Sequence, residues 1–122
     1  MSKENKIATY GYVTGRKTLG FETLWTYPSS FFFIGDYALY VTSIETQSFA
    51  YKNGLRLNDK IVSYKLSDGN EIDILNSQAL LKAISNLSIN DTLGLKVTDI
   101  NGQNERHIKV KIEQYIYKPP VV

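Results

Sequence analysis

The chain lacks cysteine altogether and contains one histidine and three prolines among its 122 residues. Without cysteine, disulfide bonds and cysteine-ligated zinc sites are excluded, and the redox state of the compartment cannot be read. No apolar run approaches the roughly 20 residues that a membrane-spanning helix needs. The first residues, MSKENKIATYGY, contain no apolar segment typical of a signal peptide. We therefore expect either a cytoplasmic protein or a piece of a longer chain.

An excess of charge of one sign is also missing. The net charge is +2, and the chain lacks the clustered lysine and arginine of nucleic-acid-binding proteins. Hydrophobic residues make up 43 % of the chain, which is enough for the packed core of one domain. We expect this domain at residues 16–115, with a flank and first strand at 1–15 and a tail at 116–122.

Much of the sequence has the composition of β-strands, and its longest alternating segment is HIKVKIEQYIY. Two helices interrupt this pattern: a short one at 48–54 with Ser48 as its cap, and a longer one at 76–87 with an apolar stripe. Strands are predicted at residues 6–13, 20–27, 37–45, 59–66, 71–75, 91–100 and 106–115, the last two joined across Asn101-Gly102. The order predicts a mostly β, α+β fold, in which a small antiparallel β-barrel or sandwich is capped by the two helices.

Little in the sequence indicates catalysis or metal binding. His107 lies in an alternating strand beside charged residues, and no nucleophile-elbow or phosphate-binding motif is present. Asp68, Asn70 and Asp73 have the spacing of calcium ligands, but the helix-flanked twelve-residue loop is missing. We expect no enzymatic activity, no cofactor and no metal, although spacing alone leaves a Ser-His-Asp set open.

Three segments resemble a PDZ domain, in the family's order. TLGFE at 18–22 resembles its carboxylate-binding loop, and NSQALLKAISNLSINDTLGLKV at 76–97 resembles its groove helix and the following strand. Between them, YVTSIETQSFAYKNGLRLNDKIVSYK at 40–65 resembles the stretch of strand, short helix, Gly-Leu, turn and Asp-strand. Two positions depart from the family, since Thr18 and Asn58 stand where glycine is usual.

The resemblance is to bacterial PDZ domains more than to the animal scaffold type. Domains of this kind are appended to secreted or envelope proteases of the serine, aspartyl and metallopeptidase families. The resemblance therefore implies a possible parent protease domain. If such a parent belongs to the bacterial envelope, it implies a periplasmic or cell-surface location; the sequence itself leaves the location unknown.

The resemblance also implies a peptide-binding site. In the family, the ligand adds as a strand beside the strand that here begins at Phe21, and three loop amides hold its terminal carboxylate. The residues that match this site are Leu19, Gly20, Phe21, Thr23, Ser77, Leu81 and Ile84, with Arg16 and Lys17 as attracting charges. The implied partners are protein or peptide C-termini with an apolar last residue.

Each part of this site has a simpler interpretation. Gly20 can serve only a bend, and the apolar stripe with Leu81 and Ile84 can serve only the core. The alternative to a binding module is a structural PDZ-like domain that packs against a parent protease domain and binds no free peptide. An open groove between residues 21–27 and 77–87 favours binding, whereas a groove filled by residues 25–37 favours the structural role.

Overall fold

The fold is taken from a computed structural model that describes residues 13–14, 17–27, 37–67 and 69–114. Several predictions fall outside these residues. They concern the first strand up to residue 12, residues 28–36 of the segment that could fill the groove, Arg16, and the tail at 116–122.

Nine strands and two helices lie within the described residues. In chain order they are β1 (Val13–Thr14), β2 (Lys17–Thr18), β3 (Phe21–Thr26), β4 (Ala38–Ile44), α1 (Phe49–Lys52), β5 (Lys60–Leu66), β6 (Glu71–Asp73), α2 (Ala79–Ser85), β7 (Thr92–Thr98), β8 (Arg106–Lys111) and β9 (Glu113–Gln114). The mostly β, α+β class with a short and a longer helix is confirmed.

The strands form two antiparallel sheets in the described ranges. The larger has the order β3-β4-β5-β7-β8 with β6 paired to β5, and the smaller has the order β1-β2-β9. The predicted barrel is wrong, because closure requires the two end strands of a sheet to pair. Among the described strands, β3 and β8 end the larger sheet on opposite sides and do not pair with each other.

The core lies on the inner face of the larger sheet, where buried residues recur at every second position of β7 and β8. In β8, Ile108 and Val110 are buried while His107 and Lys109 are exposed, so one face of this strand is exposed to solvent, as its alternating sequence indicates. Both helices contribute to the same core. Its buried members are Leu19, Phe21, Leu39, Val41, Ala50, Leu55, Ile61, Ile74, Leu80, Ile84, Leu93, Leu95, Val97, Ile108, Val110 and Ile112.

The helices differ in how well their ends were predicted. The Ser48 hydroxyl accepts from the Tyr51 amide at 3.1 Å, as expected of an N-cap. The longer helix begins later than predicted, because Asn76 Oδ1 accepts from the Gln78 amide at 2.9 Å and holds a turn there. Within the described part of the chain, neither helix has the length and apolar character needed to cross a membrane.

The β7–β8 hairpin turns around the carboxylate of Asp99. That carboxylate accepts from the backbone amides of Asn101 and Gln103, both at 2.9 Å, and from Asn104 Nδ2 at 2.8 Å. These bonds favour the charged form, with the Gln103 amide contributing most, and they hold the pKa of Asp99 below its usual range. The predicted hairpin at Asn101-Gly102 is confirmed, and its turn is stabilised by a charge.

The lowered pKa of Asp99 predicts a loss of stability in acid. The contribution is complete above the ordinary carboxyl pKa of 3.8 and is lost as pH falls through the lower folded value. Urea unfolding between neutral pH and about pH 2 should show a smaller acid loss for Asp99→Asn than for the unaltered protein. Other carboxylates titrate in both proteins, so identical curves would show that the Asp99 bonds do not stabilise the turn.

Candidate functional site

The connection from β2 to β3 is a tight loop, Thr18-Leu19-Gly20-Phe21, at which the two sheets meet. Gly20 has a φ of +85°, in the left-handed region. A Cβ added at Gly20 would lie 2.5 Å from the Ser48 Cβ and 3.6 Å from Glu113 Oε2. A side chain would therefore suffer both backbone strain and a steric clash, and these two constraints explain the glycine.

The loop is held by hydrogen bonds at the glycine. The Gly20 amide donates to Thr18 Oγ1 at 3.0 Å, and the Gly20 carbonyl accepts from the Glu45 amide at 2.9 Å. Leu19 and Phe21 are both 0 % exposed and belong to the core cluster. The loop amides were predicted to form an anion nest, and the Gly20 amide among them is bonded within the chain.

The N-terminus of α1 packs against this loop. Ser48 caps the helix beside Gly20, and the Phe49 amide donates to Glu113 Oε2 at 3.1 Å. Lys111 Nζ lies 5.0 Å from the centroid of the Phe49 ring. A carboxylate from the C-terminal strand thus occupies the space between the loop and the short helix.

Lys17 connects the loop to the end of α2. Its ammonium donates to the carbonyls of Leu87 at 2.5 Å and of Ile84 and Ser85 at 3.4 Å each. These carbonyls end a helix and carry partial negative charge, so a cation there is stabilising. Lys17 was predicted to attract a ligand carboxylate, and in the structure its charge is directed at the helix.

Strand β3 presents two different faces. Phe21, Thr23 and Trp25 point toward the core, and Thr23 Oγ1 is a buried atom with no hydrogen-bond partner in the described structure. Glu22 and Leu24 alternate with them on the outer face, where Leu24 is 56 % exposed. The Glu22 carboxylate accepts from the Ser43 hydroxyl at 2.8 Å.

The helix α2 supplies the remaining candidate residues. Ile84 is buried in the same cluster as Leu19 and Phe21, whereas Leu81 is half-buried and packs against that cluster from its edge. Ser77 precedes the helix and is exposed. The structure therefore brings Leu19, Phe21 and Ile84 together in the core and leaves Leu81 and Ser77 partly or fully at the surface.

A separate polar cluster crosses the outer face of β5, β6 and β7. The Ser63 hydroxyl donates to Glu71 Oε2 at 2.8 Å, and Lys96 Nζ lies 2.7 Å from the same oxygen. The hydrogen bond from Lys96, followed by that from Ser63, lowers the pKa of Glu71, and the bond to Glu71 raises the pKa of Lys96. The Glu71 carboxylate is thus held in its ionised form between the Ser63 hydroxyl and the Lys96 ammonium.

His107 is exposed on β8, with its Nε2 4.0 Å from Glu105 Oε2. Among the residues that the structure describes, no group of three or more histidine or acidic side chains is placed to hold a metal ion.

No family model matches the chain, and none of the curated proteins matches it.

Gly20 offers a test of the loop with a matched control. Gly20→Ala should destabilise the fold by about 3 kcal/mol, because it adds a left-handed alanine and a clash with Ser48. Gly102 has a similar φ of +81° but nothing within 4 Å of its added Cβ, so Gly102→Ala should cost about 1 kcal/mol. Urea titrations measure both, and equal losses would mean that the contact with Ser48 is not tight.

Lys17 provides a second prediction. Lys17→Met keeps most of the aliphatic stem but removes the ammonium from the α2 carbonyls, so stability should fall by about 1 kcal/mol. Lys109→Met changes an exposed lysine on β8, away from the end of α2, and should stay within about 0.5 kcal/mol of the unaltered protein. Thermal unfolding followed by circular dichroism compares the two, and a Lys17→Met protein as stable as the control would contradict the capping role.

Proposed function

We propose that this chain is a PDZ-like interaction module that adds an extended ligand segment as a strand beside residues 21–27. The observation that carries the proposal is the position of β3. Among the described strands it lies at the end of the larger sheet and pairs with β4 alone. An outermost strand presents backbone donors and acceptors to an added strand, which is the basis of strand addition.

The composition of β3 supports the same proposal. Natural edge strands are usually protected by lysine, proline or short length. β3 is six residues long and carries one charged side chain, Glu22, beside the exposed Leu24. In the pairing of β3 with β4, a β-bulge lies at Glu22 and Thr23. The rest of this pairing is regular.

Features outside β3 are consistent with the PDZ resemblance. The loop before the strand contains a left-handed Gly20, and a short capped helix follows β4. Asn58 has a φ of +70°, in the left-handed region. The family usually has glycine at this position, and asparagine tolerates the same conformation. The C-terminal β9 pairs with β2 beside the loop.

In this proposal the ligand contacts side chains of β3 and of the α2 region. The half-buried Leu81 and the exposed Leu24 offer apolar contacts, and Ser77 a polar one at the start of α2. The expectation that ligands are C-termini with an apolar last residue stays a prediction. The module has no catalytic role in this proposal, and a parent peptidase with which it acts in substrate recognition or regulation belongs to the same proposal.

The alternative is a structural PDZ-like domain that packs against a parent protease domain. The burial of Leu19, Phe21 and Ile84 favours it, because these side chains present little surface to a ligand. The two functions differ in one observable property, since only the first needs a free peptide to bind.

Strand addition predicts a dependence on the ligand's backbone. The best peptides from a random library should bind with micromolar affinity, about −7 to −8 kcal/mol, because a short added strand makes few contacts and loses entropy on ordering. N-methylation at alternate peptide residues should abolish binding in one register and spare it in the other. Fluorescence polarisation measures both, and the absence of any binding peptide would favour the structural alternative.

The helix side of the site is tested by Leu81→Lys, which puts a charge where a ligand would desolvate it. Binding should be lost while circular dichroism shows a folded protein. Leu75→Lys is the matched control, because Leu75 is 76 % exposed and precedes the helix. If Leu81→Lys binds normally, α2 does not line the site; if it unfolds, Leu81 belongs to the core and the structural alternative gains support.

A further inference from the structure

The geometry of the loop before β3 points to one class of ligand. We infer that the β3 edge takes an internal extended segment of a partner protein, with a basic residue and an apolar residue two positions apart, rather than a chain terminus held by its carboxylate. The inference rests on the proposed strand addition and concerns which part of a ligand the site reads.

The loop before β3 is buried. A carboxylate bound by backbone amides must approach them to within about 2.7–2.9 Å. Leu19 and Phe21 are 0 % exposed over the whole residue, Gly20 is buried and Thr18 is 7 % exposed. The amides of this loop are therefore covered by the fold, and a terminal carboxylate has no path to them in this conformation.

The amide at the centre of the loop already donates a hydrogen bond. The Gly20 amide donates to the Thr18 hydroxyl at 3.0 Å. A buried amide that is satisfied by a hydroxyl has little to gain from a new acceptor, because the existing bond must break first. Thr18 is itself buried, so this bond is shielded from solvent.

A negative charge lies close to the loop. The Glu113 carboxylate lies 3.6 Å from the position of a Cβ on Gly20. The nearby ammonium of Lys17 donates to three carbonyls at the end of α2. The Glu113 carboxylate repels a second carboxylate, so the described surroundings of the loop disfavour a ligand's terminal carboxylate.

The outer face of β3 defines what an internal segment should contain. Glu22 and Leu24 lie two residues apart on the outer face of β3. Residues directly opposite each other on antiparallel strands lie on one face, and opposite charges there are stabilising. A ligand strand beside β3 therefore matches this face when a lysine or arginine lies opposite Glu22 and an apolar residue lies opposite Leu24.

The experiment uses random twelve-residue libraries in two display formats. In one format, residues of a carrier follow the random segment; in the other, the random segment ends the chain. Each selected peptide is then synthesised as a free acid, as a C-terminal amide and with a Gly-Ser extension. We expect the three forms to bind within about 2-fold of one another, and the internal format to enrich a basic and an apolar residue two apart.

The outcomes separate the inference from the function on which it rests. If the free acid binds about tenfold or more tightly than the amide, the carboxylate is read and the inference is overturned, while strand addition stands. If neither format yields a binder, both the proposed function and the inference fail. Binding of extended peptides that survives N-methylation in both registers would likewise remove the shared premise.

A variant pair tests the charge assignment without disturbing the loop. Glu22→Gln should weaken the selected basic peptides by about 2- to 5-fold, because it removes the cross-strand charge but keeps an acceptor for the Ser43 hydroxyl. Glu105→Gln is the matched control, since Glu105 is exposed and precedes β8 at the far side of the sheet. Equal affinities for the two variants would overturn the placement of the basic residue opposite Glu22.

Discussion

The close approach of the Gly20 backbone to Ser48 is the contact on which the rest of the arrangement depends. It joins three distant parts of the chain: the loop before β3, the start of α1, and Glu113 in β9, whose carboxylate accepts from the Phe49 amide. Backbone can pack this closely only where a Cβ is missing. The small sheet, the short helix and the first residue of β3 are all positioned by this one junction.

The junction also determines what the candidate site can offer. It places β3 at the end of the larger sheet and buries the loop that precedes it. Lys17 then connects the other side of the loop to the last carbonyls of α2. The loop and Lys17 thus help to hold β3 and α2 in their relative positions. The Gly20 amide and the Lys17 ammonium could otherwise bind an anionic ligand, but both already donate hydrogen bonds within the chain.

Sequence reasoning recovered most elements because their local signals agree with the fold. Strand-forming composition predicted β4, β5, β7 and β8 within a few residues, and Ser48 and Asn101-Gly102 were read correctly as a cap and a turn. The barrel was wrong, since strand closure depends on contacts between distant strands that composition does not encode. The helix α2 began late because Asn76 has a local hydrogen-bonding alternative that propensity alone does not weigh.

The site was harder to read than the fold. The left-handed Gly20 had a signal in the sequence, namely a glycine between two large apolar residues. The Thr18 bond to its amide spans only two residues and is a local contact that threonine commonly makes in turns. The proximity of Glu113 had no signal, because it depends on how segments far apart in the chain pack. A motif identifies which residues form a loop, whereas the access of its amides to solvent is a property of the assembled structure.

The pairing of β2 with β9 has a consequence for the way the chain folds. Its two residue pairs, Lys17 with Gln114 and Thr18 with Glu113, join residues from nearly opposite ends of the described chain. Contacts of such long range carry a large loop-closure entropy and form late, which makes folding slow for a domain of this size. During synthesis, the hairpins of the larger sheet can form as they emerge. The junction around Gly20, however, stays incomplete until Glu113 has left the ribosome. Until then, this part of the core of the nascent domain is exposed to solvent.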